Sequence, residues 1–369
     1  MKFCVESGEL NEALAVVTKA LSSSNETPVL RGIYISAFDN ELYLKCSDSS
    51  VQIETTIPAL VEEDGAAVMP GRLMADLVRR MRGAKIDFET IDEYSMKIEN
   101  GKSKSVLQFF SPDTYPKMEE IRSDISFNIK QNLFRSMIKQ TAFSCGDEDA
   151  KPILRGVLME FTEEGFLNLI ALDGFRLAKR SERVSVNGEM RNAVVPAKTM
   201  NDISNILSDT EDEVTITLSA THITVDLGNT KIKARLIKGD YINYKNIISR
   251  KSASRVIVNR NEFIESLDLV WLIAKENNNN VIKLEFDDGM MYISARSEAG
   301  SINENVAVNI TGTPIEIAFN AKYFIDIAKS VEDEMIALNF NTSVTPCVVE
   351  PVNGESFFYL ILPIRLMRS

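Results

Sequence analysis

Pro152-Ile153-Leu154-Arg155-Gly156 repeats Pro28-Val29-Leu30-Arg31-Gly32 at an offset of 124 residues. Met69-Pro70-Gly71-Arg72-Leu73-Met74 returns as Val195-Pro196-Ala197-Lys198-Thr199-Met200, and more loosely as Phe319-Asn320-Ala321-Lys322-Tyr323-Phe324, at offsets of 126 and 124. One third of the 369 residues is 123. The repeating unit is therefore the size of a domain, large enough to bury its own core, and not a solenoid repeat.

Each copy follows one order. A short alternating strand (Phe3 and Val5, Phe127 and Ile129, Val256 and Val258) leads into a helix expected over residues 9–20, 130–143 and 260–275. Apolar stripes at helical spacing mark these helices: Leu10, Leu14, Val17 and Leu21; Leu133, Met137 and Ile138; Phe263, Leu267, Val270 and Trp271. The Pro-led stretches open strand-like runs, and hairpin turns are expected at Asp39-Asn40, Glu164-Gly165 and Asp288-Gly289. A second helix follows Pro70, Pro196 or Asn320, over 71–82, 197–207 and 321–330, and further strands close the unit. The fold class is α+β: three similar domains, each with two helices packed on antiparallel sheet. Polar, aperiodic stretches at Arg122-Ser123-Asp124 and Arg250-Lys251-Ser252-Ala253-Ser254 place the domains at 1–124, 125–252 and 253–369.

Composition is that of an ordinary soluble globular protein, 44% apolar and 25% charged. No apolar run reaches the roughly 18 residues of a membrane span, and Met1-Lys2-Phe3-Cys4-Val5 begins a strand. Cys4, Cys46, Cys145 and Cys347 form no CxxC pair and read as reduced, buried thiols of a cytoplasmic protein. The net charge of −12 is unevenly spread. The six expected helices hold 13 Lys/Arg and 8 Asp/Glu, leaving 28 and 45 for the rest of the chain. An acidic body with mildly basic helices suggests one surface that faces a polyanion. The bland alternative is that basic residues only decorate helix ends. Arg72, Arg79, Arg80 and Arg82 are the densest group, whereas Glu262, Glu265 and Asp268 in the third repeat's first helix run against the pattern.

Catalytic chemistry has little to stand on. The one histidine, His222, lies in the alternating run Thr221-His222-Ile223-Thr224-Val225 and reads as a strand or turn residue. Phosphate-loop, zinc-protease, nucleophile-elbow and dinucleotide motifs are absent from the sequence. Asp147-Glu148-Asp149 lacks the spaced oxygen ligands of a calcium loop and reads as a solvated loop. No catalytic residue, metal or cofactor is expected.

Leu172-Asp173-Gly174-Phe175-Arg176-Leu177-Ala178 resembles the T-D-G-H-R-L-A segment of the bacterial DNA polymerase III β subunit, the β sliding clamp family. Leu362-Pro363-Ile364-Arg365-Leu366 resembles its M-P-M-R-L ending, and Lys238-Gly239-Asp240-Tyr241-Ile242-Asn243-Tyr244 its D-G-R-F-P-D-Y segment. Met1-Lys2-Phe3, Val194-Val195-Pro196-Ala197-Lys198 and Phe319-Asn320-Ala321-Lys322-Tyr323 match as well, so the resemblance runs the length of the chain. It implies a DNA-clamp fold and a head-to-tail homodimer forming a six-domain ring, helices inside and sheets outside. The ring would slide on duplex DNA and tether polymerase, a non-catalytic task in the cytoplasm at the nucleoid. Implied partners are double-stranded DNA, the DNA polymerase III α subunit, the clamp loader and other proteins with a clamp-binding motif, such as a Gln followed by Leu-Phe. The competing reading is an acidic three-repeat scaffold that binds only protein.

The resemblance also implies sites. A peptide-binding pocket between repeats two and three would draw on Leu154, Leu172, Gly174, Phe175, Arg176, Leu177, Ile242, Ile247, Asn320, Tyr323, Val344, Pro346, Leu360, Ile361, Leu362, Pro363, Ile364, Arg365 and Leu366. Its aliphatic walls suit Leu and Phe anchors, with Arg176, Asn320 and Tyr323 as polar fixing points. Channel candidates are Lys19, Arg79, Arg80, Arg135, Lys139, Lys198, Lys275, Lys322 and Lys329. The dimer seam would join Lys102, Lys104 and Val106 to Leu272, Ile273, Glu298 and Glu304. Phe175, Ile242, Leu172 and Asn278 depart from the family's usual His, Pro, Thr and aromatic residue, so motif preference is expected to differ.

Overall fold

The computed structural model describes residues 1–22, 27–116, 124–248, 252–276 and 280–365. Parts of both expected boundary stretches, as well as Asn278 and Leu366, lie outside the described residues. The chain forms two compact units: Met1–Asn132 with Val186–Glu189 and Asn205–Leu236, and Leu133–Ser185 with Met190–Ser204 and Ile237–Ser369. Strand pairing explains why the middle repeat is shared between them. In the first unit Thr230–Arg235 pairs antiparallel with Val51–Pro58. In the second, Arg176–Arg183 pairs antiparallel with Phe357–Ile361. Each pairing welds part of repeat two into the sheet of a neighbour.

The first unit holds a five-stranded sheet and a nine-stranded sheet, and the second a twelve-stranded sheet. Every pairing is antiparallel, as the alternating runs and short turns require. Asp39 and Asn40 both adopt positive φ (51° and 59°), as do Asp288 and Gly289 (43° and 76°), the geometry of two-residue hairpin turns.

The six helices are α1 (Ser7–Val17), α2 (Gly71–Arg80), α3 (Gln131–Lys139), α4 (Ala197–Ile206), α5 (Arg260–Ala274) and α6 (Ala321–Ser330). Most are shorter than their expected spans. α1 gives way to a 3₁₀ turn over Thr18–Ala20, so Leu21 falls outside the stripe of Leu10, Leu14 and Val17. In α3 the buried apolar residues are Phe134, Met137 and Ile138, while Leu133 is only half-buried. In the second unit α5 buries Phe263, Leu267, Val270 and Ala274, with Phe263 edge-on to Phe324 of α6 at 5.6 Å. No helix among the described residues is long and apolar enough to cross a membrane.

The Pro-led stretches are corrected in one respect. Pro28–Arg31 and Pro152–Arg155 are 3₁₀ turns, and the strands begin only at Gly32 and Gly156. Proline's fixed φ and missing N–H suit the first position of such a turn. Gly32 pairs with Pro70, and Gly156 with Pro196, so the two motifs that repeat along the chain lie side by side. A Cβ at Gly32 would meet Val68 Cγ1 at 2.4 Å, and one at Gly156 would meet the Val195 carbonyl at 2.7 Å. The close approach of these strands therefore explains why glycine and its partner strand recur together.

Candidate functional site

In the second unit the site begins at a tight turn. Strand Phe166–Leu172 ends with Leu172 opposite Leu177, the second residue of strand Arg176–Arg183. Between them Asp173 Oδ1 accepts from the N–H groups of Phe175 (2.8 Å) and Arg176 (2.9 Å), and Gly174 takes φ 96°. This side-chain-capped turn holds Phe175 outward, 61% exposed. The Phe175 carbonyl accepts from Leu362 N–H at 2.9 Å, and Ile364 N–H donates to the Ala318 carbonyl at 2.8 Å. The segment after strand Phe357–Ile361 is thus laced to the turn and to strand Glu316–Asn320.

Arg176 is only 10% exposed, and its donors are directed inward. Nε reaches Asp173 Oδ2 (2.9 Å), Nη1 reaches Asp326 Oδ2 (2.6 Å) and Nη2 donates to the Phe143 carbonyl (2.7 Å). The guanidinium carbon lies 4.6 Å from the centre of the Tyr323 ring and 5.3 Å from that of Phe143. Asn320 is the N-cap of α6, its Oδ1 accepting from Lys322 N–H at 3.0 Å. Burial first, then the Asp173 carboxylate, raise the Tyr323 phenol above its ordinary pKa. Arg176 and Asn320, expected as polar fixing points for a ligand, also make these internal bonds. Sequence spacing gave no sign of Asp326 or Phe143, because both come from elsewhere in the chain.

The apolar residues divide into floor and rim. Leu154, Leu172, Leu177 and Leu360 belong to one buried cluster with Leu158, Tyr244 and Phe358. Strand Phe357–Ile361 is buried on both faces: Phe358 and Leu360 enter this cluster, whereas Phe357, Tyr359 and Ile361 enter the core that contains α5 and α6. Phe175, Ile242, Ile247, Val344 and Leu362 remain exposed. Gly174 and Arg365 are exposed too, and Pro346, Pro363 and Ile364 are half-buried. Buried aliphatic residues together with exposed Phe, Ile, Val and Leu are residue types suited to apolar peptide anchors.

The channel candidates are surface groups with modest net charge. Arg79 pairs with Asp76 (2.5 Å), Lys198 with Asp202 (3.4 Å) and Lys329 with Asp268 (2.8 Å). Arg80, Lys139, Lys275 and Lys322 are exposed, while Lys19 and Arg135 are half-buried. Three of the helix cations are thus paired with carboxylates that the helix count of 13 against 8 already includes.

Of the seam candidates, Lys104, Val106 and Glu304 fall on edge strands, whereas Leu272 and Ile273 lie on α5. Ser103–Gln108 is the last strand of the five-stranded sheet, with Val106 exposed, Lys102 exposed and Lys104 paired to Glu99 at 2.8 Å. In the second unit Gly300–Gly312 pairs with Ser254–Val258 only from Val308 onward. Residues 300–307 pair only with Met290–Ser297 among the described residues, which leaves one side of that stretch, Glu304 included, as an edge. Leu272 and Glu298 are exposed, and Ile273 packs partly on the core.

The enzyme candidates bond to near neighbours in the chain. His222 lies on strand His222–Asp226, with Nδ1 2.8 Å from Thr221 Oγ1. Burial, then Lys233 and Arg235, lower its pKa. Asp147 Oδ1 accepts from Asp149 N–H (3.1 Å), and the Glu148 carbonyl accepts from Arg155. Among the described residues no group of three His, Cys, Asp or Glu is placed to hold a metal ion. The four cysteines are free thiols, but only Cys46 and Cys347 are buried as expected; Cys4 and Cys145 are half-buried. Burial, then Asp173, pushes Cys145 up to about 12.

Three family models match the chain in sequence order. They are the N-terminal, central and C-terminal domains of the DNA polymerase III beta subunit, at residues 1–119, 128–243 and 245–365. The beta sliding clamp of Staphylococcus aureus is 30% identical over 367 residues, covering 97% of this chain and 96% of that protein. That of Staphylococcus epidermidis is 29% identical, with 99% of each covered. The crystal structure of the Bacillus subtilis DNA polymerase sliding clamp superimposes with a TM-score of 0.93 at 31% identity over the whole of both chains. The chain therefore belongs to the DNA polymerase III beta subunit family, the beta sliding clamps.

Proposed function

We propose that this protein works as a non-catalytic DNA sliding clamp in the cytoplasm. Two copies close head to tail into a ring around duplex DNA and hold polymerase, clamp loader and other motif-bearing partners at the exposed apolar rim. The observation that carries this reading is the match of three clamp domains in order along the chain, joined to a rim of exposed Phe175, Ile242, Ile247, Val344 and Leu362. Retention on DNA would be topological. A modest helical charge, partly neutralised by Asp76, Asp202 and Asp268, suits sliding, because each neutralised phosphate adds salt-sensitive affinity.

On linear duplex the expected result is weak binding that falls steeply with salt, without a sequence-dependent footprint. On nicked circular DNA, after loading, the protein should persist until the circle is linearised. Equal retention on linear and circular DNA would leave the protein-only scaffold as the better reading.

The two free sheet edges support a seam in which Ser103–Gln108 of one copy meets residues 300–307 of another, a heterologous contact that closes with two copies. Val106 and Leu272 would form its apolar centre, with Lys102, Lys104, Glu298 and Glu304 at the rim. Leu272→Asp should give folded monomers at micromolar concentration in sedimentation equilibrium, since Leu272 is exposed and Ile273 carries the core packing. A variant that stays dimeric there would place the seam elsewhere.

A further inference from the structure

Glu160 is a buried carboxylate, 8% exposed, on strand Gly156–Phe161, and none of the roles above uses it. Its Oε2 accepts from Tyr244 Oη at 2.6 Å and from Asn168 Nδ2 at 3.1 Å, and its Oε1 lies 2.9 Å from Lys245 Nζ. Ser181 Oγ donates to Asn168 Oδ1 at 2.7 Å, extending the network across three strands. Tyr244 and Lys245 belong to the segment that carries exposed Ile242 and Ile247, whose only regular element is the 3₁₀ turn Tyr244–Asn246. Its backbone is organised around Tyr244. Tyr244 N–H donates to the Ile242 carbonyl (2.7 Å), and Ile247 N–H donates to the Tyr244 carbonyl (3.0 Å). Residue 242 is not proline, so no ring restricts φ there.

We infer that Glu160 is a positioning residue for peptide capture: through Tyr244 and Lys245 it fixes the loop that presents Ile242 and Ile247 beside the aliphatic floor. Fixing one tyrosine fixes both isoleucines, and Tyr244 itself packs in the cluster of Leu154, Leu172, Leu177 and Leu360. Burial opposes ionisation of Glu160, but the hydrogen bonds from Tyr244, Lys245 and Asn168 outweigh it and hold the carboxyl below its ordinary pKa. Burial, then Glu160, raise the Tyr244 phenol, so tyrosine donates and carboxylate accepts. The repeat offers an internal comparison. The offset of 124 that maps Pro28 onto Pro152 maps Ser36 onto Glu160, and Ser36 stands opposite Tyr43 where Glu160 stands opposite Asn168. The carboxylate is thus no requirement of the repeated fold. Repeat three has Glu285 at the matching register position, but that side chain is 43% exposed and pairs with Lys283 of its own strand.

This inference rests on the proposed peptide site, and the test separates the two. Full-length wild type, Tyr244→Phe, Glu160→Gln and the double variant are titrated with a peptide containing Gln followed by Leu-Phe. Amide hydrogen exchange is followed in the free proteins. Tyr244→Phe should bind about tenfold more weakly, the weight of one charge-assisted hydrogen bond. Glu160→Gln, which keeps an acceptor but no charge, should bind about threefold more weakly. The double variant should be no worse than Tyr244→Phe, since both changes break one link. Exchange should quicken over residues 241–248 and stay unchanged in α5 and α6. Should Tyr244→Phe fail to fold, Lys245→Met, at an exposed lysine, should still bind about twofold more weakly with the same local exchange. Wild-type affinity in these variants, or weaker binding with unchanged exchange over 241–248, overturns the inference and leaves the peptide site standing. Absence of binding by the wild type overturns both.

Discussion

Replacing Leu362 by Asp is expected to weaken capture of a Gln-containing Leu-Phe peptide by more than about 2 kcal/mol, roughly thirtyfold, without unfolding the protein. The wild type should bind with roughly micromolar affinity, about −8 kcal/mol, reasonable for two apolar anchors in a groove whose floor is already packed. Leu362 is the informative position because it is exposed, and its N–H is tied to the Phe175 carbonyl, so a charge there meets the ligand and not the core. Leu177 is a poorer test: it is 2% exposed, and an aspartate in the Leu154–Leu360 cluster would damage the sheet itself. Phe175→His should shift peptide preference without a change in thermal midpoint, because the ring is exposed and the turn is held by Asp173. Isothermal titration and thermal denaturation of the same samples decide the matter. An unchanged dissociation constant for Leu362→Asp would remove this rim from the binding surface.

The turns of the fold are legible in the sequence, for an identifiable reason. Short polar signals such as Asp39-Asn40, Asp288-Gly289 and Asp173-Gly174 act within a few residues, so spacing alone announces the turns they make. The recurrence of Gly32 and Gly156 beside Pro70 and Pro196 likewise reflects a local strand approach that any copy of the fold must repeat. What spacing does not reveal is which side of a residue is already occupied. The internal partners of Arg176 are not legible because Asp326 and the Phe143 carbonyl stand 150 and 33 positions away. Glu160 was invisible for the same reason, with Tyr244 at a separation of 84. A tally that sets 13 helix cations against 8 helix carboxylates does not say which of them meet: Arg79 pairs with Asp76, Lys198 with Asp202 and Lys329 with Asp268. Even the division of the chain follows from non-local pairing: strand Thr230–Arg235 finds Val51–Pro58, and strand Arg176–Arg183 finds Phe357–Ile361.

Arg176→Met should lower the stability of the protein by about 3 kcal/mol, the lower part of the range for breaking a buried ion pair. The arginine is 10% exposed, and its partners Asp173 and Asp326 are 15% and 24% exposed, so water reaches the orphaned carboxylates only in part. Methionine keeps most of the side chain's apolar volume between the Phe143 and Tyr323 rings, which limits the loss to charge and hydrogen bonds. Lysine is not a mild substitute, because one ammonium lacks the planar fork that serves Asp173, Asp326 and the Phe143 carbonyl together. Adding Asp326→Asn to Arg176→Met should recover part of the loss, since the second change removes a carboxylate that the first left unpaired. Urea denaturation followed by the fluorescence of Trp271, which packs on the core containing α5 and α6, reads this directly. Peptide affinity should fall along with stability in Arg176→Met, because the turn that holds Phe175 loses its anchor at Asp173. A single variant with unchanged midpoint and slope, or a double variant worse than the sum of its parts, would mean that the Arg176 cluster does not hold the turn in place.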